Sequence, residues 1–334
     1  MPRVAACLLL GWMLSVPLPP LFAVEGNKDV VDSSRAFRAI RLEKNPIVYS
    51  GIWGLSGEQG ANINGPSLIR APDWVEKPLG RYYLYFAHHN GKYIRLAYAD
   101  ALEGPWKIHP GGVLGLADAP GLGHIASPDV HVDQDRKEIR MYFHQPGPKD
   151  SPIPGQVSFV ALSGDGLHFV ARPEVLGKSY FRVFRYRGWY YAFAKNDNVD
   201  GVIYRCQDGL TGFKEGPHYI PGVRHTAMWI DHETLYLVYT KAGDTPERIL
   251  LSTVDLTKDW RSWSVSKPQV LLEPEKDYEG ASLPLKPSSY GAAEGPVRQL
   301  RDPAVFAEGA ERYLLYSVAG EQGIAIAQLK QDGP

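Results

Sequence analysis

The chain has 334 residues, of which 44% are hydrophobic, enough for one large core or two modest ones. Its 36 Lys and Arg nearly cancel 37 Asp and Glu, leaving a formal charge of -1. That balance excludes the basic field that nucleic acid or an anionic membrane surface would need. The 34 Gly and 27 Pro fit many short strands joined by turns, and 19 Tyr with 8 Trp supply flat apolar faces.

The first 23 residues read as an export signal. Arg3 supplies the positive charge, Val4 to Leu18 are largely apolar, and Ala23 is the expected cleavage position. Pro17, Pro19 and Pro20 interrupt the apolar run, which is too short for a membrane span. A secreted or periplasmic protein is expected, with residues 24–334 as one domain. Cleavage removes Cys7 and leaves Cys206 without a disulfide partner, so Cys206 is expected as buried packing.

After a short apolar segment, Phe37-Arg-Ala-Ile-Arg-Leu42, one pattern is written five times: a strand start, a short apolar strand, and a Tyr-rich return. Asn64-Gly-Pro-Ser-Leu-Ile leads to Gly80-Arg-Tyr-Tyr-Leu-Tyr-Phe, and Ser127-Pro-Asp-Val-His-Val to Ile139-Arg-Met-Tyr-Phe. Phe181-Arg-Val-Phe leads to Gly188-Trp-Tyr-Tyr-Ala-Phe, and His225-Thr-Ala-Met-Trp-Ile to Thr234-Leu-Tyr-Leu-Val-Tyr. Arg301-Asp-Pro-Ala-Val-Phe leads to Glu311-Arg-Tyr-Leu-Leu-Tyr. A third alternating strand follows in each unit, and a fourth is expected after an aromatic turn, as in Lys107-Ile-His and Trp263-Ser-Val. Five copies of one such unit predict an all-β fold, a five-bladed β-propeller. The last unit stops after three strands, so Phe37–Leu42 is expected to supply its outer strand and close the ring. Between Leu272 and Gln299 runs a long polar insert rich in Gly and Pro.

Antiparallel pairing places the start of each first strand beside the end of each second strand, on one face of the ring. The starts carry Asn64, Ser127 and Asp129, Tyr180 and Arg182, His225, and Arg301-Asp302. The ends carry His88-His89-Asn90, His144-Gln145, Lys195-Asn196-Asp197, Lys241 and Glu321, with His124 nearby. Polar chemistry from all five units is thus expected to converge on the axis. His88-His89 is not a metal-ligand spacing, and no other metal motif is present. No cofactor is expected; a Ca2+ ion on the axis is compatible with a polar hub but has no motif behind it.

The Arg301-Asp302-Pro303 and Glu294-Gly-Pro elements, and the run Ala97-Tyr-Ala-Asp-Ala-Leu-Glu-Gly-Pro-Trp106, resemble the five-bladed propeller glycoside hydrolases around families 32, 43, 68, 117 and 130, and family 43 in particular. The resemblance implies a secreted glycoside hydrolase acting on a terminal sugar or oligosaccharide of a polysaccharide through axial carboxylates. Carried onto this chain, it makes Asp302 the base or transition-state stabiliser, Asp129 its partner or tuner, and Glu294 the acid brought by the long insert. Asp197 and Glu279 are reserves for the acid. Asn64, His88, His89, His124, His144, Asp197, His225 and Arg301 are the expected substrate contacts, with His225 or His124 able to donate a proton in place of a carboxylate. The first unit departs from family 43, since Asn62-Ile-Asn-Gly65 holds no acid where that family places its base. That gap also fits a non-catalytic carbohydrate-binding propeller. A protein-interaction ring would instead show an exposed apolar patch. Carbohydrate is the expected partner, with no membrane contact after signal cleavage.

Overall fold

The computed structural model describes residues 37–331, so the proposed signal at 1–23 lies outside the described residues. Every long element is a strand, and the helical segments are four short 3-10 turns. Among the described residues no helix is long and apolar enough to cross a membrane. The chain opens with β1 (Phe37–Arg41) and β2 (Val48–Tyr49). The first unit follows as β3 (Asn64–Arg70), β4 (Tyr82–Ala87), β5 (Tyr93–Ala99), β6 (Lys107–Ile108) and β7 (Leu114–Gly115). The second is β8 (Ala126–Asp133), β9 (Glu138–Pro146), β10 (Gln156–Ser163) and β11 (Val170–Ala171). The third is β12 (Gly177–Tyr186), β13 (Trp189–Asn196), β14 (Asp200–Cys206) and β15 (Lys214–Tyr219). The fourth is β16 (Val223–Asp231), β17 (Thr234–Lys241), β18 (Ile249–Asp255) and β19 (Gln269–Leu272). The last is β20 (Arg301–Glu308), β21 (Glu311–Val318) and β22 (Gly323–Gln331).

Within each unit consecutive strands pair antiparallel, except that β6 and β7 both pair with β5. The second and third units are joined through two residue pairs, Val157 with Lys178 and Ser158 with Gly177. The expected strand at Trp263-Ser-Val is corrected: that segment makes a single bridge, Val254 to Val265, and Gln269–Leu272 is the fourth strand. In the last unit, β1 lies antiparallel along β22, from Phe37 opposite Gln331 to Arg41 opposite Ala327.

The Tyr-rich strands explain how the units pack. Side chains alternate across a strand, so one strand faces two neighbours at once. On β4, Tyr83, Tyr85 and Ala87 join a core with Met141, Phe143 and Phe159 of the second unit. The intervening Tyr82, Leu84 and Phe86 join another with Phe306, Leu315 and Ile326 of the last unit. Three further cores lie between the second and third, third and fourth, and fourth and last units. The first strands adjoin in the order β3, β8, β12, β16, β20 and back to β3. Cys206 is a buried free thiol, as expected, and burial pushes its pKa up to about 12.

β1 is held at both ends. Phe37 sets its ring edge-on to Trp229 and Tyr236, 5.1 Å from each. Arg41 grips Glu279 through Nε (2.7 Å) and Nη2 (2.9 Å). Glu279 is fully buried and also accepts from Tyr316 Oη and from the backbone N–H groups of Glu275 and Lys276. It therefore anchors the insert and is not a reserve acid. Arg41→Met leaves that carboxylate without its cation, so it is expected to destabilise the fold by about 3 kcal/mol, read as a lower urea midpoint at unchanged slope.

Candidate active site

The five first strands share an irregularity that aims side chains at the axis. Each shifts register against its second strand near its start: between Asn64 and Ser67, Ala126 and Asp129, Ser179 and Arg182, Val223 and Thr226, and Arg301 and Ala304. A bulge of this kind re-aims the residues within it. Four bulge residues have left-handed backbone: Gly65 (φ 60°), Ser127 (53°), Tyr180 (64°) and Asp302 (46°). Only glycine adopts this region freely, and strained non-glycine residues cluster at functional sites.

These bulges and the ends of the second strands enclose a polar pocket. Asn64, Ser127, Tyr180, His225 and Asp302 come from the bulges; His89, His124, His144 and Glu321 join them. Its free space is about 10 Å³, room for about one water molecule. Asp302 is buried, with Oδ1 3.0 Å from His225 Nδ1 in a poorly aligned contact and Oδ2 accepting from Ser317 Oγ at 3.2 Å. Burial alone would raise its pKa, but His225 first, then Arg224 and Arg301, hold it well below the usual carboxylate range. Glu321 accepts from Arg301 Nη1 (2.9 Å) and from Asn62 (2.5 Å) and Asn64 (3.2 Å).

Three of the imidazoles, His225, His144 and His124, are pushed toward the neutral form. Burial pulls His225 down to about 4 against the opposing pull of Asp302. Burial and the neighbouring His124 and His89 take His144 well below the ordinary imidazole range, and burial lowers His124 as well. Tyr180 stacks on His144 at 4.2 Å and leans on His225 at 5.0 Å, which fixes the ring planes. His144 Nδ1 is buried without a partner. His124, His144 and His225 thus offer neutral rings, each with one N–H and one lone pair, beside a fixed anion. Among the described residues no three His, Cys, Asp or Glu side chains are arranged to hold a metal ion.

Asp302, Asn64, His89, His124, His144 and His225 therefore meet as the sequence suggests, and five expectations are corrected. Asp129 lies past its bulge and lines a second cavity of about 320 Å³ with His131, Arg70 and Met228. There its Oδ2 accepts from Val183 N and meets His131 Nε2, both at 2.8 Å. Arg182 also lines that second cavity, and its guanidinium donates to the carbonyls of Ser127, Pro128, Phe181 and Thr226. Glu294 is exposed and lines no pocket described here. His88 borders a separate surface pocket with Glu58 and Tyr93. Asp197 is exposed and ion-paired to Lys178 at 2.7 Å. Arg301 is buried between Glu321 (2.9 Å) and Glu247 (3.1 Å) and holds the scaffold.

Two carboxylates that the structure buries here were given no role by the sequence reading. Glu321 stands among the second-strand ends, but nothing local marks it as facing inward. Glu247, fully buried beside Arg224 and Arg301, sits in an unremarkable loop before β18.

No family model matches the sequence. The uncharacterized protein R118 of Acanthamoeba polyphaga mimivirus is 35% identical over 333 residues, which span 89% of this chain and 92% of that protein. Among solved structures, a family-43 β-xylosidase/α-arabinofuranosidase from a compost microbial metagenome, in complex with xylotriose, superposes with a TM-score of 0.57 at 14% identity over 89% of this chain and 95% of its own. An N-acetylgalactosamine deacetylase from F. plautii, in complex with blood group B trisaccharide, gives 0.58 at 11% identity over 88% and 95%. The chain belongs to one family with the mimivirus protein R118, and its fold is that of the family-43 glycoside hydrolase propellers.

Proposed function

We propose that the chain is a secreted glycoside hydrolase, a five-bladed propeller closed by β1, that removes terminal sugars or oligosaccharides from a polysaccharide at the axial pocket. The ring reading is supported by the cyclic order of the five first strands and by a core between the first and last units. The observation that carries the activity is Asp302: a buried, ionised carboxylate at the bulge of β20, facing a wall of imidazoles. Asp302 accepts the proton of the attacking water or stabilises positive charge at the anomeric carbon. Glu294 is too exposed to serve as the acid, so we assign proton donation to the leaving oxygen to the half-buried His124. A sugar enters only if the partly exposed His89 and His124 rings turn outward, because the pocket otherwise admits about one water.

This assignment fixes the pH dependence. Asp302 stays ionised down to well below its ordinary range, and His124 gains its proton only below the ordinary imidazole range. Activity is therefore expected to rise as pH falls below about 6.5, giving an acidic optimum. The test is a screen of the exported protein against aryl glycosides and plant and algal polysaccharides across that range. Release of sugar with an acidic optimum supports the reading; binding without release leaves a carbohydrate-binding propeller. The imidazole-rich wall favours one second reading, hydrolysis of an N-acetyl group on a sugar. Acetate release in the same screen, with glycosidic bonds left intact, would select it.

A further inference from the structure

The rim of the pocket between the third and fourth units carries two lysines with no carboxylate to answer them. Lys195 is the penultimate residue of β13 and Lys241 ends β17. Among the described residues neither ammonium has a carboxylate within 4.0 Å. Nearby Lys178, by contrast, pairs with Asp197 at 2.7 Å. Lys195 is held by π faces instead: its Nζ lies 5.4 Å from the ring centre of Tyr180, a wall residue of the pocket, and 4.9 Å from that of Tyr290. The Lys241 side chain reaches the same spot. Its Cε and the Tyr290 hydroxyl both lie 3.9 Å from the position a Cβ on Gly222 would take.

Tyr290 does not hang there loosely. Arg224 donates to the carbonyls of Ser289 and Gly291, Arg301 donates to Gly291, and Ser288 Oγ donates to Lys241 O. The stretch 288–291 is therefore pinned to the fourth and last units. The inner cations are committed elsewhere: Arg224 contacts Glu247, and Arg301 contacts Glu247 and Glu321. That leaves Lys195, near Lys241, without a direct ion pair beside the pocket, with Asp197, Asp302 and Glu247 acting on it only through space and an aromatic platform under it. An ammonium so placed, partly removed from water and lacking a counter-ion, is an acceptor for an anion brought by a ligand.

We propose that the site takes an acidic sugar, with Lys195 receiving a carboxylate or sulfate group while the sugar ring meets the imidazole wall. This rests on the pocket being a carbohydrate site and names its substrate class. Burial first, then Arg224, bring the Lys195 pKa to about 8, so the ammonium is still charged at neutral and acidic pH.

The test compares the full-length exported protein with Lys195→Met and Lys195→Arg. Titration calorimetry uses glucuronate and galacturonate for the carboxylate arm, galactose 6-sulfate for the sulfate arm, and glucose and galactose as neutral controls. Aryl uronides and aryl neutral glycosides report turnover. Expected is tighter binding of one acidic class than of its neutral counterpart, a loss of tenfold or more in Lys195→Met, retention in Lys195→Arg, and neutral sugars changed less than twofold. Thermal melts of each variant separate this from misfolding. Equal affinity for acidic and neutral sugars, or an equal loss of both in Lys195→Met, overturns the proposal while leaving glycoside hydrolysis intact. Lys195-dependent binding of an acidic sugar without any cleavage has the opposite result: the acidic-ligand site stands and the hydrolase reading falls.

Discussion

Asp302→Asn is expected to cut kcat/KM by about 10²–10⁴-fold, the usual contribution of a positioned acid–base group, while sugar binding stays within a few fold. The amide keeps the shape of the carboxylate and can still meet Ser317 Oγ, so the bulge of β20 and the pocket wall survive. The negative charge that His225, Arg224 and Arg301 are arranged to stabilise is lost. Binding by calorimetry and turnover on the best aryl glycoside separate these two effects. Undiminished turnover in the variant would remove Asp302 from the chemistry.

The largest loss of stability is expected for Arg301→Met, about 3–5 kcal/mol, because truncating one partner strands a buried opposite charge. Here two are stranded: Glu321 loses its 2.9 Å contact and Glu247 its 3.1 Å one, and both carboxylates are fully buried. Glu247 is already poorly served. Burial raises its pKa against the pull of Arg224 and Arg301, and neither of its oxygens has an aligned hydrogen bond. In a domain of this size the melting temperature is expected to fall by roughly 10 °C. Arg301→Met with Glu247→Gln should recover part of the loss by removing one of the orphaned charges. A single variant that melts with the wild type would show that the network contributes little.

The repeating strands and their packing were legible because alternation and Tyr-rich returns are local signals, and β4 splits its rings between two cores as its pattern requires. The strand that lines β22 was legible for a related reason, since the last unit lacks an outer strand and Phe37–Arg41 alternates. The identity of the pocket residues was only half legible, and the bulges are why. Register flips with a single inserted residue. The prolines could have revealed this: Gly65-Pro66, Ser127-Pro128 and Asp302-Pro303 align, each with the left-handed residue before proline. In that alignment Asp129 matches Ala304, not Asp302, and falls two residues, roughly 6–7 Å, farther along the strand. The roles of Glu321 and Glu247 were not legible for a different reason. Their burial depends on arginines from other units, which no window of sequence brings together.

Arg182 has a consequence for how a polymer can be processed. Its guanidinium, tied to the carbonyls of Ser127, Pro128, Phe181 and Thr226, stands behind the pocket wall. On the function proposed above, a polysaccharide would not pass Arg182, so the enzyme would trim free ends and release each product back through the entrance that admitted it.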